Sequence, residues 1–425
     1  MSIVERDDTI YMCKVYSDSY NLTSGAITPV TMANITYDKF GMFDKVNNKV
    51  TIKEAGLYIV VGSFSVTTSS IGRRNVYINI NNNTSSNSNG GSTYNFETIT
   101  NSPTETFCSE LQYLYPGDYV RLRTYQNSGS TLACVATLTV QRIDPNLEFC
   151  IVRRNATQSL LAATPTKFLM DTYPYDTWKM FDQTNNRINI KQKGTYLFAA
   201  RAYNLNATLM KKIMFYKNGS PYDVMAVNTD GTASFDDNLN IVALMDLVAG
   251  DYIECWGYSD GAVNYAGYAG SANYFIIRMT CIKMDVSKKR YATLSRITTQ
   301  NIPDVTLTKI LLNYKEVDYW GMDDTTNNRI VINEEGLYGI NAHAYYASST
   351  GVKYIYVYKN GVAFLKSIYH LDSAVAADGN VETDGIAWLE AGDYLEMYVY
   401  HANGSAINYG GGTRPTAIQL HVWKF

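Results

Sequence analysis

Short runs of alternating apolar and polar residues, closed by Gly, Asn, Asp or Pro, follow one another along the whole chain. Alternation with a period of two sorts side chains onto the two faces of a strand, whereas a helix repeats its apolar positions every three to four residues. Helical periodicity is essentially absent, so the pattern predicts strands joined by turns. Lys49-Val50-Thr51-Ile52, Arg187-Ile188-Asn189-Ile190 and Arg329-Ile330-Val331-Ile332 are such runs, and each follows an Asn-Asn pair. Asn tolerates the left-handed backbone that a tight turn needs, so each pair reads as a turn feeding a strand.

These runs belong to a longer signature that occurs three times. Phe43-Asp44, Phe181-Asp182 and Asp323-Asp324 precede the turn, and Gly56-Leu57-Tyr58, Gly194-Thr195-Tyr196 and Gly336-Leu337-Tyr338 follow the strand. The glycine reads as a second turn, with a new strand opening at the Tyr. Downstream, Gly117-Asp118-Tyr119, Gly250-Asp251-Tyr252 and Gly392-Asp393-Tyr394 each separate two apolar runs as hairpin connections would. Tyr216-Lys217-Asn218-Gly219 and Tyr358-Lys359-Asn360-Gly361 carry Asn-Gly, the strongest short hairpin signal. The first copy has an Asn-rich stretch from Asn79 to Asn95 instead, which reads as a longer, mobile loop.

Each copy closes on a β-rich run, Leu132 to Ile143, Tyr274 to Met284 and Ala417 to Phe425. The last, with Trp423 and Phe425, is expected at a sheet centre, and apolar residues on both faces of Tyr274-Phe275-Ile276-Ile277 suit a strand covered on both sides. The copies therefore run over 1–144, 145–286 and 287–425, joined by short polar junctions at Asp144-Pro145-Asn146 and Asp285 to Arg290. With roughly eight to ten strand-like runs per copy, the predicted architecture is all-β, three tandem antiparallel jelly-roll β-sandwich domains.

Composition narrows the function. The 36 basic and 39 acidic residues nearly balance and form no basic stripe, so no nucleic-acid footprint is expected. No apolar stretch is long enough to span a bilayer, and no membrane insertion is expected. The acidic start, Met1 to Asp8, lacks the apolar core of a signal peptide, which points to synthesis in a cytoplasm. The cysteines, Cys13, Cys108, Cys134, Cys150, Cys255 and Cys281, form no Cys-x-x-Cys pair and are missing from the last third, so buried free thiols are expected. Tyrosine is the outlier, with 36 residues. Its ring covers half-buried strand surface while its hydroxyl reaches water, which serves sheet packing and binding surfaces alike.

Reactive constellations are scarce. His343, His370, His401 and His421 all fall in the third copy, so the repeats share no His-based centre, and no metalloprotease spacing occurs. Ser220 and Ser405 follow glycines but lie outside any Gly-x-Ser-x-Gly elbow. Asp236-Asp237 and Asp323-Asp324 are adjacent acids whose side chains would leave opposite faces of a strand, and they read as turn residues. No cofactor is expected. A Ca²⁺ site at Asp182, Asp323 and Asp324 is the one metal alternative, because hard oxygen ligands on turns suit that ion. The Gly/Tyr/Asn segments around Tyr258, Tyr265 and Tyr268, and around Tyr400, Asn403 and Tyr409, are the candidate ligand-binding loops, pairing rigid aromatic area with adaptable hydrogen bonders. Packed tyrosines beneath ordinary loops are the alternative there.

The aromatic-Asp segment, turn, short strand and Gly-x-Tyr strand resemble the globular heads of complement and tumour-necrosis-factor-like proteins. With Trp178-Lys179-Met180-Phe181-Asp182 and Trp320-Gly321-Met322-Asp323-Asp324, the Asn-rich version is similar to jelly-roll modules of bacteriophage virion proteins. The resemblance implies a jelly roll that trimerises through flat, aromatic-rich sheet faces and brings no catalytic motif. That family commonly carries one module per chain and this chain three, so a homotrimer and an intrachain pseudo-trimer are both open. The resulting expectation is a non-enzymatic virion protein, as head fibre, capsid decoration or tail-associated fibre, with other virion proteins as partners. A carbohydrate-binding adhesin array on cell-surface glycans is the alternative.

Overall fold

The computed structural model describes residues 11–66, 74–81, 90–94, 104–143, 147–205, 210–229, 237–265, 277–284, 290–349, 351–371, 377–410 and 418–424. These residues form strands and turns and no helix. The strands pair only within three sets, Met12–Arg142, Phe149–Lys283 and Tyr291–Lys424, and each set makes two antiparallel sheets. By compactness the second and third sets form one unit and the first set another. The expected junctions at 144–146 and 285–289 lie outside the described residues.

The third set shows the topology. Its first sheet orders Ala377–Leu389, Gly336–Ser349, Ile418–Lys424, Tyr291–Ser295 and Tyr314–Asp318. Its second orders Asp323–Asp324, Arg329–Val331, Tyr394–Ala402, Gly351–Lys359 and Val362–Leu371. The chain crosses repeatedly from one sheet to the other, which makes the jelly roll. Alternation along the facing strands fills the space between the sheets. Tyr196, Phe198, Met279 and Cys281 meet Ile213, Phe215, Ile253 and Cys255 in the second sandwich, and Tyr58, Val60, Phe64 and Val140 meet Val76, Ile78, Val120 and Leu122 in the first. Ile418–Lys424 lies between two partners, so the closing strand is central, with Trp423 buried. The equivalent strand of the second copy starts only at Arg278; residues 274–276 lie outside the described set, and Ile277 precedes the strand, fully buried.

The repeated motifs bond to one another. Asn218 and Asn360 take φ of 53° in the turn, and each donates its amide to the Asp of the other hairpin, Asp251 at 2.7 Å and Asp393 at 2.6 Å. Their side-chain oxygens accept from the Tyr252 and Tyr394 amides at 2.9 Å. The same Asp closes its own turn by accepting from Val248 or Glu390. The first copy does this too: Asn81, also at φ 53°, donates to Asp118 at 2.7 Å and accepts from Tyr119 at 2.9 Å. The Asn79 to Asn95 stretch is therefore not simply a loop. Asn79 and Ile80 end one strand, Asn81 turns, and Gly90–Tyr94 pairs back onto Arg74–Ile78.

The Asn-Asn turns behave as expected, with Asn48, Asn186 and Asn328 at φ of 53°, 50° and 55°. Asp44, Asp182 and Asp324 cap them by accepting from Asn47, Asn185 and Asn327. A cation also holds the carbonyl of the first Asn, Lys167 on Asn185 at 3.0 Å and Lys309 on Asn327 at 2.7 Å. In the first copy the Lys position is Pro29, and Arg121 from the opposite strand reaches Asn47 instead at 3.0 Å.

The glycine expected as a second turn has another role. Gly56, Gly194 and Gly336 are the first residues of their long strands. A Cβ there would meet Arg142 at 2.5 Å, Lys283 at 3.2 Å or Lys424 at 2.3 Å, so each glycine makes room for a long cationic side chain from the closing strand. Gly339 similarly lies under Trp423, where a Cβ would sit 2.1 Å from the indole.

The outward faces of the first sheets of the second and third sandwiches are buried as well, at Phe149, Ile151, Leu197 and Ile282 in the second and at Asn341, His343, His421 and Trp423 in the third. Between the second and third sandwiches, Thr195 shares a buried 2.7 Å hydrogen bond with the Tyr291 hydroxyl, and within the second it donates to Asp246.

Two outcomes follow. Gly339→Ala should destabilise by about 1–3 kcal/mol, because a stiff indole must move to admit the methyl group; an unchanged urea midpoint would show that Trp423 does not rest on this glycine. Asn185 and Asn327 hold the Asp182 and Asp324 carboxyls below the usual range, chiefly through side-chain hydrogen bonds, as Asn47 does for Asp44. Such groups stabilise the fold above the unfolded value of about 3.9, and that contribution is lost as pH falls through the lower folded value. The urea midpoint should thus drop below pH 4, less steeply in Asp324→Asn, and equal slopes would refute the assignment.

Candidate binding surface

The six residues singled out for ligand binding part company in the structure. Tyr265 closes the short strand Val263–Tyr265 and Tyr409 the equivalent Ile407–Tyr409, and both are 0% exposed. Tyr265 stands edge-on to Phe168 at 5.2 Å, and Tyr409 packs against Tyr346 at 5.9 Å. Burial removes both from any surface ligand, which corrects their reading as display residues. Burial also pushes the Tyr409 hydroxyl far above its ordinary range. Tyr268 lies outside the described residues. Asn403 is half-buried, and its amide donates to Asp304 at 2.8 Å, which also accepts from Gly404 at 3.1 Å.

Tyr258 and Tyr400 are likewise half-buried, and they sit on strands rather than loops. Tyr252–Ser259 and Tyr394–Ala402 are central strands of the second sheets, and both tyrosines point away from the core. In the third sandwich Tyr400 joins a row. Tyr354, Tyr356 and Tyr358 alternate outward along Gly351–Lys359, with Tyr354–Tyr356 centroids 6.0 Å and Tyr356–Tyr358 centroids 6.1 Å apart. Tyr398 stacks at a tilt on Tyr358 at 4.3 Å, and Tyr400 meets Tyr354 edge-on at 5.4 Å. Tyr354 is buried and the others half-buried. Burial raises the Tyr354 hydroxyl to about 12, with the neighbouring Tyr400 adding to the effect, so that hydroxyl is neutral at ordinary pH. This signal was present in the sequence as Tyr-Ile-Tyr-Val-Tyr, a period-two pattern with tyrosine rather than a polar residue on the outer positions.

Three cations described on this face are paired internally. Lys309 meets Glu396 at 2.5 Å, Lys359 meets Asp393 at 2.7 Å, and Arg329 meets Asp324 at 2.7 Å while its guanidinium lies over Tyr394. The second sandwich keeps part of the surface: Tyr216 stacks on Trp256 at 4.4 Å, and Glu254 accepts from both Trp256 and Lys167. Lys212 and Met214 take the places of Tyr354 and Tyr356, and Lys212 lies over Tyr258.

The calcium alternative finds no support in the acids themselves. Asp182 is paired with Arg187, Asp324 with Arg329 and Asp323 with Lys315, so each carboxylate already has a cation. No cluster of three or more His, Cys, Asp or Glu side chains suited to a metal occurs among the described residues. The described histidines are buried. His343 stacks on His421, whose Nδ1 shares a 2.9 Å hydrogen bond with Thr293, and burial followed by the charge of His343 lowers His421 to about 3. His401 Nε2 lies 2.9 Å from the Ile302 carbonyl oxygen and Nδ1 3.3 Å from Asp304. The His370 side chain and Asp236 lie outside what is described. All six cysteines are free and buried, as expected, and burial raises Cys134 to about 11 and Cys13, Cys150, Cys255 and Cys281 further still.

No protein-family model matches the sequence, and no curated protein matches it. Among solved structures, this chain is similar to the tumour necrosis factor Eiger of S. frugiperda, at 10% identity over 33% of this chain and 93% of that one, with a TM-score of 0.28. It is also similar to the globular domain of zebrafish complement 1qA, at 18% identity over 32% of this chain and 98% of that one (TM-score 0.24), and to murine APRIL, at 10% identity over 33% and 100% (TM-score 0.26). The all-β jelly-roll assignment rests on the strand order above.

Core and surface tyrosines should separate cleanly in a stability assay. Tyr265→Ala should cost about 3–5 kcal/mol by leaving a cavity, whereas Tyr258→Ala should cost under about 1 kcal/mol. Comparable losses for the two in chemical denaturation would contradict the placement.

Proposed function

We propose that this chain is a non-enzymatic structural protein of a bacteriophage virion, a head fibre, capsid decoration or tail-associated fibre that presents binding surface from a rigid β scaffold. The observation that carries this reading is the fate of the repeated polar motifs. Asn81, Asn218 and Asn360 with Asp118, Asp251 and Asp393, and the capped Asn-Asn turns, are occupied in building connections three times over. A scaffold repeated with its joints intact and its chemistry varied suits a mechanical or display role. Six buried thiols fit assembly in a reducing host cytoplasm.

Of a homotrimer and an intrachain pseudo-trimer, the buried contact by which the second and third sandwiches meet, Thr195 with Tyr291, supports the second. Faces already shielded within one chain are not open to another copy, so partners, other virion proteins foremost, would meet the second-sheet faces and the loops. The tyrosine face favours a second reading, adhesion to cell-surface glycans, because half-buried rings with hydroxyl tips suit polyhydroxyl surfaces.

Quantitative mass spectrometry of purified virions whose genome encodes the chain should find it at a fixed stoichiometry to the capsid protein. Light scattering of the purified chain should give the mass of one chain. Absence from purified particles would end the virion reading, and a stable threefold mass would end the single-chain one.

A further inference from the structure

We infer that the tyrosine face of the third sandwich, Tyr356, Tyr358, Tyr398 and Tyr400 with the buried Tyr354 packed at its end, binds an extended, uncharged oligosaccharide. The inference rests on the adhesion reading above and names both the site and the ligand class. Three observations converge on that ligand.

The first is geometry. Alternate residues of one strand stand about 6.6 Å apart at a rise of about 3.3 Å per residue, and the observed ring separations of 6.0 and 6.1 Å follow from it. Tyr358, the Tyr356–Tyr398 pair and Tyr400 occupy three successive outward levels of the two strands, with the buried Tyr354 beside Tyr400, and form an elongated platform rather than a pocket. An elongated platform fits a chain of repeating rings better than a compact solute.

The second is charge. Among the described side chains, Lys309, Lys359 and Arg329 are cations bordering the rings, and each is neutralised by Glu396, Asp393 or Asp324 at 2.5–2.7 Å. An anionic polymer would have to break these pairs to gain a partner. A neutral polyol need not, because its C–H faces lie on aromatic rings while its hydroxyls reach the phenolic oxygens and the rims of the ion pairs.

The third is the contrast between copies. The second sandwich preserves Tyr216, Trp256 and Tyr258 at the places of Tyr358, Tyr398 and Tyr400, yet Lys212 and Met214 interrupt its row. In the first sandwich Asn75, Tyr77 and Asn79 replace the three tyrosines. The uninterrupted platform thus occurs once, and the stoichiometry should be one ligand per chain.

The test uses the full purified chain and titration calorimetry. The probes are hexasaccharides of β-1,4-linked glucose, α-1,4-linked glucose and N-acetylglucosamine, with hexagalacturonate as the anionic comparator. The expected result is 1:1 binding of at least one neutral probe, weakened at least about tenfold by Tyr356→Ala and kept within about twofold by Tyr356→Phe, which retains the ring. Tyr216→Ala, a similar change on the second sandwich, should leave the affinity unchanged and so controls for general damage. The inference is overturned by no neutral probe binding at millimolar concentration, by preference for hexagalacturonate, or by binding that survives Tyr356→Ala. It is equally overturned by a concentration-dependent mass increase that Tyr356→Ala abolishes, which would assign the face to a second copy. None of these outcomes bears on the presence of the chain in virions, so the two readings fail separately.

Discussion

The architecture turns on one polar link between two hairpins, an asparagine amide donated to an aspartate three dozen or so residues further along the chain. Neither turn could be so tight alone. The asparagine must adopt a left-handed backbone, and the aspartate must hold its own turn while surrendering an oxygen to its neighbour. Joining them fixes the register between two central strands of the second sheet, and everything packed on those strands inherits that register. The link is made with the same atoms in all three sandwiches, although the residues around it have diverged widely.

Legibility in the sequence tracked how local each signal is. The Asn-Asn turns and the Gly-Asp-Tyr hairpins depend on a few consecutive residues, and they stand where the alternation put them. Asn81 escaped because its partner signal, a following glycine, is absent, while the Asp118 that defines its role is remote in sequence. Gly56, Gly194 and Gly336 looked like turns because glycine usually marks one; their real constraint is a side chain from the closing strand, invisible until the strands pair. Tyr265 and Tyr409 were misplaced for a related reason. A three-residue strand offers too little alternation to reveal which way its tyrosine points.

The binding surface shows the opposite error. Attention to glycine-rich loops favoured residues that turn out to be core, whereas the tyrosine row lay in plain alternation within a strand. Tyrosine on the outer positions satisfies the rule for strand packing and for recognition equally, so pattern alone does not divide the roles. What divides them is the neighbourhood. Tyr346 and Tyr409 face the interior with Lys353 beside them, while Tyr356 and Tyr398 face outward between paired charges.

The switch from lysine to arginine at the Asn-Asn turn has a consequence for how the copies could have diverged. In the second and third sandwiches the cation comes from a short edge segment and answers a glutamate on the central strand, whereas in the first the central strand supplies the cation and the edge carries proline. Each solution is complete in itself and incompatible with half of the other. Recombination between copies inside this pair of strands would bring two cations to one carbonyl or leave a glutamate facing a proline. An exchange that moved the edge segment and the central strand together would keep the turn whole, so the two act as one unit of inheritance.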